Sequence, residues 1–334
     1  MIKLSDLGEF GLIKRFSQQF LQDLPGEITG IGDDCAIIPL NNKEALLYTT
    51  DMLIEDRHFV RDKITSYDLG QKSLAVNLSD IAAMGGNPKS AYLSIGIPAN
   101  IELEWLDEFF RGIKDLCLQT RTYLLGGDTT KSPESLIINI GVIGIAKLSK
   151  IKRRSTARPG DIICITDVVG DSGGGLKILL NNLPLDNDAV YLVGRHNCPK
   201  AQIEEGKWFS EREEVNAMID VSDGIESDIH RLMESSNVGA EIEINTVPIS
   251  KILRKLSEKY NWNVHEIALS GGEDYCLMLT IPEEYVDGII SKYEIKFKKP
   301  LYKIGKITGL TGKLTFIKDG KIIDFNKHGF DHFK

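Results

Sequence analysis

From Leu74 to Gly86 the chain reads Leu-Ala-Val-Asn-Leu-Ser-Asp-Ile-Ala-Ala-Met-Gly-Gly, and between Lys72 and Lys89 the only charged side chain is Asp80. Small and apolar residues at this density predict a buried, closely packed helix. A carboxylate left ionised and unpaired in such a setting costs several kcal/mol, so a cation is expected against Asp80. The candidates are a Lys or Arg from elsewhere in the chain, or a metal ion. Four other short segments favour the metal: Gly32-Asp33-Asp34, Thr49-Thr50-Asp51, Gly126-Gly127-Asp128-Thr129-Thr130 and Asp220-Val221-Ser222-Asp223-Gly224. Each follows an apolar or β-branched run that reads as a strand.

The chain around these segments is of ordinary globular composition. Its 334 residues suffice for two domains, and a net charge of -8 argues against a nucleic-acid surface, which needs clustered Lys and Arg in excess. No membrane association is expected, because the longest apolar run, residues 135–146, is too short to span a bilayer. Met1-Ile2-Lys3-Leu4-Ser5-Asp6 lacks the apolar centre of a signal peptide, and the expected location is cytoplasmic. The five cysteines are scattered without a Cys-x-x-Cys pair and read as reduced, structural thiols.

Taken in order, residues 5–22 have helical spacing that Pro25-Gly26 ends, and strands are expected over residues 44–50 and 136–145. Trp105, Leu106, Phe109, Phe110, Ile113, Leu116 and Cys117 mark an amphipathic helix whose aromatics belong to the core. The basic run from Lys147 to Arg158 reads either as a solvated connection or as a phosphate contact through one of its arginines. Gly170-Asp171-Ser172-Gly173-Gly174-Gly175 opens a helix but matches neither a P-loop nor a dinucleotide-binding fingerprint, so tight packing explains its glycines at least as well. Residues 302–307 and 314–323 read as a terminal hairpin with an Asp319-Gly320 turn. His328 and His332 stand four apart without further zinc ligands. Strands and helices alternate, which gives an α/β or α+β class with a domain boundary near the basic run, at 1–148 and 149–334.

Asp34, Asp51, Asp80, Asp128, Asp220 and Asp223 are carboxylates with Thr hydroxyls nearby, a donor set that suits hard Mg2+. Magnesium commonly bridges protein carboxylates to nucleotide phosphates, which makes ATP its natural companion and several ions the expectation. Phosphoryl transfer rests on positioning and charge neutralisation, so a site without a Ser-His-Asp or Cys-His nucleophile can still catalyse it.

In this order the segments resemble the thiamine-monophosphate kinase family, within the superfamily of aminoimidazole ribonucleotide synthetase and selenophosphate synthetase. The likeness is carried by Gly30-Ile31-Gly32-Asp33-Asp34, Thr49-Thr50-Asp51-Met52-Leu53, residues 75–85, Gly126-Gly127-Asp128-Thr129-Thr130, Arg154-Ser155 with Pro159-Gly160-Asp161, Asp220-x-Ser222-Asp223-Gly224, Gly271-Gly272-Glu273-Asp274-Tyr275 and Gly329-Phe330-Asp331-His332-Phe333. It implies a two-domain fold, ATP- and Mg2+-dependent phosphorylation of thiamine monophosphate to thiamine diphosphate by in-line transfer, and a homodimer whose amino-terminal sheets join in one barrel. It implies metal ligands at Asp34, Thr49, Thr50, Asp51, Asp80, Asp128, Asp220 and Asp223. ATP contacts are implied at Gly127, Asp128, Arg154 and Ser222, substrate contacts at His58, Glu273 and Phe330, and a catalytic set of Asp80, Asp128, Asp220 and Arg154. The chain departs from the family pattern at Arg57, Thr156 and Cys276.

Two other readings stay open on sequence. A relative that activates a different acceptor would be expected to carry a reactive Cys before Gly30 or a terminal Cys, and the chain has neither. A non-catalytic Mg-nucleotide sensor would keep the acid cluster without turnover.

Overall fold

The computed structural model describes residues 4–325. Phe330, His328 and His332 lie outside the described residues. The first half runs α1 (Leu4–Leu21), β1 (Ala36–Pro39), β2 (Glu44–Ile54), α2 (Ser66–Ala83), β3 (Asn87–Ile97), α3 (Leu103–Thr120), β4 (Tyr123–Lys131) and β5 (Ile137–Lys147). Its sheet has the order β1-β2-β5-β3-β4, antiparallel except where β3 and β4 run parallel. Helices α2 and α3 cover one face, where Leu47, Leu53, Leu74, Ile81, Phe109 and Ile140 pack as one core. The other face is exposed and apolar, with Tyr48, Met52 and Tyr92 each about half exposed.

The second half runs β6 (Asp161–Ile165), α4 (Asp171–Leu180), α5 (Asn187–Asn197), α6 (Ile203–Ser210), β7 (Ala217–Asp220), α7 (Ile225–Ser236), β8 (Gly239–Glu243), α8 (Lys251–Tyr260) and α9 (Val264–Ser270). It closes with β9 (Leu277–Pro282), α10 (Glu283–Phe297), β10 (Tyr302–Thr308), β11 (Leu314–Lys318) and β12 (Lys321–Ile323). The order β12-β11-β8-β10-β6-β9-β7 makes a seven-stranded mixed sheet. One face packs on α4, α5, α7, α8 and α9, the other on α6 and α10, giving three layers.

Helix α2 joins the halves. Thr65 caps it by accepting from the Asp68 N–H, and it ends at Gly85, whose φ is 71°. Almost every residue from Leu69 to Ala83 is buried, because the first sheet lies on one side of the helix and α6 and β7 on the other.

Several sequence expectations change here. Strand β2 runs past Thr50 to Ile54, so Asp51 sits within a strand and not at its end. The terminal hairpin is β11 with β12 alone, turning at Asp319-Gly320, while β8 separates β11 from β10. Phe110 packs edge-on against Phe109, which stacks on Trp105, but it is 39% exposed and lies at the margin of the core. The basic run is not solvated throughout. Lys152 is buried and donates to the carbonyls of Arg212 and Val215, each at 2.7 Å.

Candidate active site

Three carboxylates from distant parts of the chain meet between the halves. Asp34 precedes β1, Asp80 lies in the last turn of α2 and Asp220 ends β7, and a ligand atom from each lies within 4.8 Å of the others. Side-chain alternation along β2 sends Thr49 and Asp51 to this same face and Thr50 to the exposed one. The Thr49 hydroxyl donates to Asp80 Oδ2 at 2.5 Å, and Ser79 Oγ donates to Asp220 Oδ2 at 2.6 Å. Asn77 Oδ1 accepts from the Asp51 N–H, fixing β2 against α2.

Among the described residues no Lys or Arg engages Asp80: its side-chain partner is the Thr49 hydroxyl, and its nearest charged neighbours are other acids. Burial foremost, then Asp51, Asp220 and Asp34, pushes the Asp80 carboxyl well up. The same two causes, burial and adjacent carboxylates, raise Asp33 and Asp220 to about 7 and Asp51 to about 6. Asp34 Oδ2 is buried with no hydrogen-bond partner. A buried carboxylate oxygen without a donor, inside a ring of like charges, is what a hard divalent cation satisfies, so these residues fit Mg2+.

Two arginines meet part of the charge. Arg154, in a short 3-10 turn (Arg154–Thr156), pairs with Asp34, and Arg231 on α7 pairs with Asp223 and, at 2.8 Å, with Asp228. Arg154 thus binds a carboxylate here, where an ATP contact is expected. Ser222 and Glu273 are adjacent: the Glu273 N–H donates to the Ser222 carbonyl at 2.6 Å. His58 accepts from the Ile54 N–H through Nδ1 at 2.9 Å in the turn after β2, and Thr50 Oγ1 accepts from Asn139 at 3.0 Å.

Gly127 and Asp128 stand apart from this cluster. Strand β4 is the edge strand beyond β3, exposed over its whole length. Ser94 pairs with Asp128 and with Asn139, which faces Met52, so three strand spacings, roughly 14 Å, separate Asp128 from the Asp51 region. Gly127 has φ 149°, and a Cβ there would meet the Leu93 carbonyl oxygen at 1.7 Å, so close strand pairing alone requires glycine.

The glycine loop before α4 is also a packing device. A Cβ on Gly175 would meet the Leu192 carbonyl at 2.2 Å, and the N–H groups of Gly170 and Ser172 donate to Asp274.

Sequence reading missed Lys72 and His196. Lys72 is fully buried and donates to Glu273 Oε2 at 3.0 Å and to the His196 carbonyl at 3.1 Å. His196 Nδ1 lies 3.0 Å from both Glu273 Oε2 and Ser172 Oγ. The available signal was a lysine on an otherwise apolar helix, two turns before Asp80.

Comparison with known proteins agrees with this geometry. Residues 32–146 match the family described as AIR synthase related protein, N-terminal domain, and residues 158–316 its C-terminal domain. The chain is therefore an AIR synthase related protein with that two-domain α/β fold. It is 39% identical over 336 residues to a thiamine-monophosphate kinase of Haemophilus influenzae, covering 98% of each chain. Against the enzyme of that name from Escherichia coli K12 it is 38% identical, with 98% of each covered. A solved structure described as AaThiL complexed with AMPPCP and TMP superposes with a TM-score of 0.87 at 32% identity, covering 99% of both chains. The thiamine monophosphate kinase of Aquifex aeolicus gives 0.80 at 30%, covering 96% of this chain and 99% of that one. The chain belongs to the thiamine-monophosphate kinase family.

Proposed function

We propose that the protein transfers the γ-phosphate of ATP to thiamine monophosphate, giving thiamine diphosphate and ADP. A phosphate oxygen of the acceptor attacks the γ-phosphorus in line; that P–O bond forms as the bond to the leaving ADP oxygen breaks. The observation that carries this reading is the convergence of Asp34, Asp80 and Asp220 from three distant segments on one point. These residues would hold Mg2+, with Asp51, Asp223 and Thr49 beside them; Thr50, on the opposite face of β2, and Asp128, on the edge strand β4, stand apart from this cluster and would join a metal site only at the seam with a second copy. Bound Mg2+ supplies charge neutralisation for the phosphates. In the chain itself, Ser79 and Thr49 orient the acids, Arg154 offers a guanidinium that can turn from Asp34 to phosphate, and Ser222 presents backbone next to Glu273. Glu273, a quarter exposed, would face the cationic thiazolium ring, with His58 and Phe330 as further acceptor contacts.

A homodimer is part of the proposal. The exposed apolar face of the first sheet, and Tyr123, Leu124 and Leu125 on the unpaired edge of β4, form a surface that a second copy would cover by closing the two sheets into a barrel. Gly127 and Asp128 would then lie at the seam, where nucleotide would bind. We assign most metal ligands, ATP contacts and the dimer surface to residues 1–148, with Asp220 and Asp223 entering the metal site from 149–334, which also supplies further nucleotide contacts and, together with His58 of the first half, the acceptor contacts. The cytoplasm, with its ATP and Mg2+, is the proposed location; no helix among the described residues is long and apolar enough to cross a membrane.

The test is direct: protein, ATP, Mg2+ and thiamine monophosphate should yield thiamine diphosphate and ADP. Formation of AMP, or ATP binding without turnover, would replace this reading with a different acceptor or a sensor.

A further inference from the structure

Lys72, His196 and Glu273 come from α2, α5 and the loop before β9, yet their polar atoms form one buried cluster. Lys72 has no exposed surface and His196 is 5% exposed, while the Glu273 side chain is 24% exposed. Both partners engage the same carboxylate oxygen, Oε2, and among the described residues Oε1 has none. The backbone of Glu273 is held as firmly. Its φ is 55°, that of Gly272 before it is 66° and that of Tyr275 after it is 49°, while the Glu273 and Tyr275 N–H groups donate to the Ser222 and Val221 carbonyls. This loop is thus fixed by left-handed backbone, by the segment bearing Asp220 and Asp223, and by a cation from the other half of the molecule.

We propose that Lys72 and His196 are positioning residues for the acceptor, holding Glu273 by one oxygen so that the other is presented to a cationic ring at a set distance from the acids. The inference rests on the kinase reading above and adds the residues that set its acceptor site. The distance is set by α2. Lys72 and Asp80 are eight residues apart on one buried helix, which is about 12 Å along its axis. A helix packed on both sides does not stretch, so the phosphate end and the ring end of the acceptor are gauged by one rigid element. Burial would raise the Glu273 carboxyl, but Lys72 first and His196 next hold it down at about 2, so the presented oxygen is charged at any working pH. Burial first, then Lys72, pushes the His196 imidazole down, and Glu273 opposes that shift.

The test is a double-substitution cycle read by calorimetric binding of thiamine monophosphate to the full-length protein, with the KM for ATP measured alongside. Lys72→Met should weaken acceptor binding at least about tenfold in the native background, with the KM for ATP within about twofold. Added to Glu273→Gln, it should weaken binding no further. An equal loss in both backgrounds, or equal effects on acceptor and ATP, would make Lys72 a purely structural residue and overturn the proposal. Lys72→Met alone leaves Glu273 a buried charge without its cation; should it not fold, the same cycle with His196→Gln decides, by the same criteria. Because binding is measured without turnover, a protein that binds the acceptor with this coupling but makes no thiamine diphosphate would refute the kinase reading and leave the positioning role standing. No binding by the unsubstituted protein would overturn both.

Discussion

Ser79 in α2 donates a 2.6 Å hydrogen bond to Asp220 at the end of β7, with both residues buried. This contact crosses from the first half to the second at the point where the acids meet. Ser79→Ala would leave an Asp220 oxygen without its donor, at a cost of about 1.5–3 kcal/mol. Denaturant melts in the absence of Mg2+ should show that loss, and saturating Mg2+ should recover part of it by engaging the orphaned oxygen. Recovery of none would place Asp220 outside the metal site.

Asp80→Asn should lower turnover at least about 100-fold while raising the melting temperature of the metal-free protein. The amide can still accept from Thr49, and removing one charge relieves repulsion from Asp51, Asp220 and Asp34. Near-normal turnover at limiting Mg2+ would disprove a metal role for Asp80.

Stability should respond to Mg2+ more at about pH 8 than at about pH 5.5. Asp33, Asp51 and Asp220 have values of about 7, 6 and 7 against an ordinary 3.8. The folded state therefore holds more protons than the unfolded one between about pH 4 and 7, and the metal-free protein loses stability as pH rises through that window. Mg2+ replaces those protons, so its stabilising shift grows as they leave. Thermal melts with and without Mg2+ at both pH values check the sign, and a larger shift in acid would contradict it.

Leu125→Lys on β4 should weaken the proposed homodimer at least about tenfold, because the side chain is 63% exposed on an edge strand and would be buried by the second copy. Sedimentation over a dilution series reads this out. A stable monomer for the unsubstituted protein would remove the barrel from the proposal.

Much of this was legible in the sequence because charge in an apolar run is a strong signal. Asp80 announced both α2 and the need for a cation, and Asp220 continued the line of a strand. Lys72 was not legible, since its meaning depends on Glu273, some two hundred residues away. The glycine loop before α4 was ambiguous for a similar reason: only the approach of Leu192 and the carboxylate of Asp274 show that its space and its N–H groups are taken. Exposure of β4 was hidden because an apolar Tyr-Leu-Leu reads the same whether its own chain or another covers it. The separation of β8 from sequence neighbours in the sheet, which splits β10 from β11, follows from long-range pairing that no local pattern encodes.

The run from Lys147 to Arg158 is sewn into both halves: Lys152 donates its N–H to the Met84 carbonyl and its ammonium to the carbonyls of Arg212 and Val215, Arg153 bridges to Ala217, and Arg154 grips Asp34. A seam stitched at so many points is a weld, not a pivot. Such a molecule is expected not to open and shut like jaws around the proposed nucleotide. Traffic in and out has to pass through small local excursions of side chains and loops at the mouth, and the halves should travel as a single body throughout a catalytic cycle.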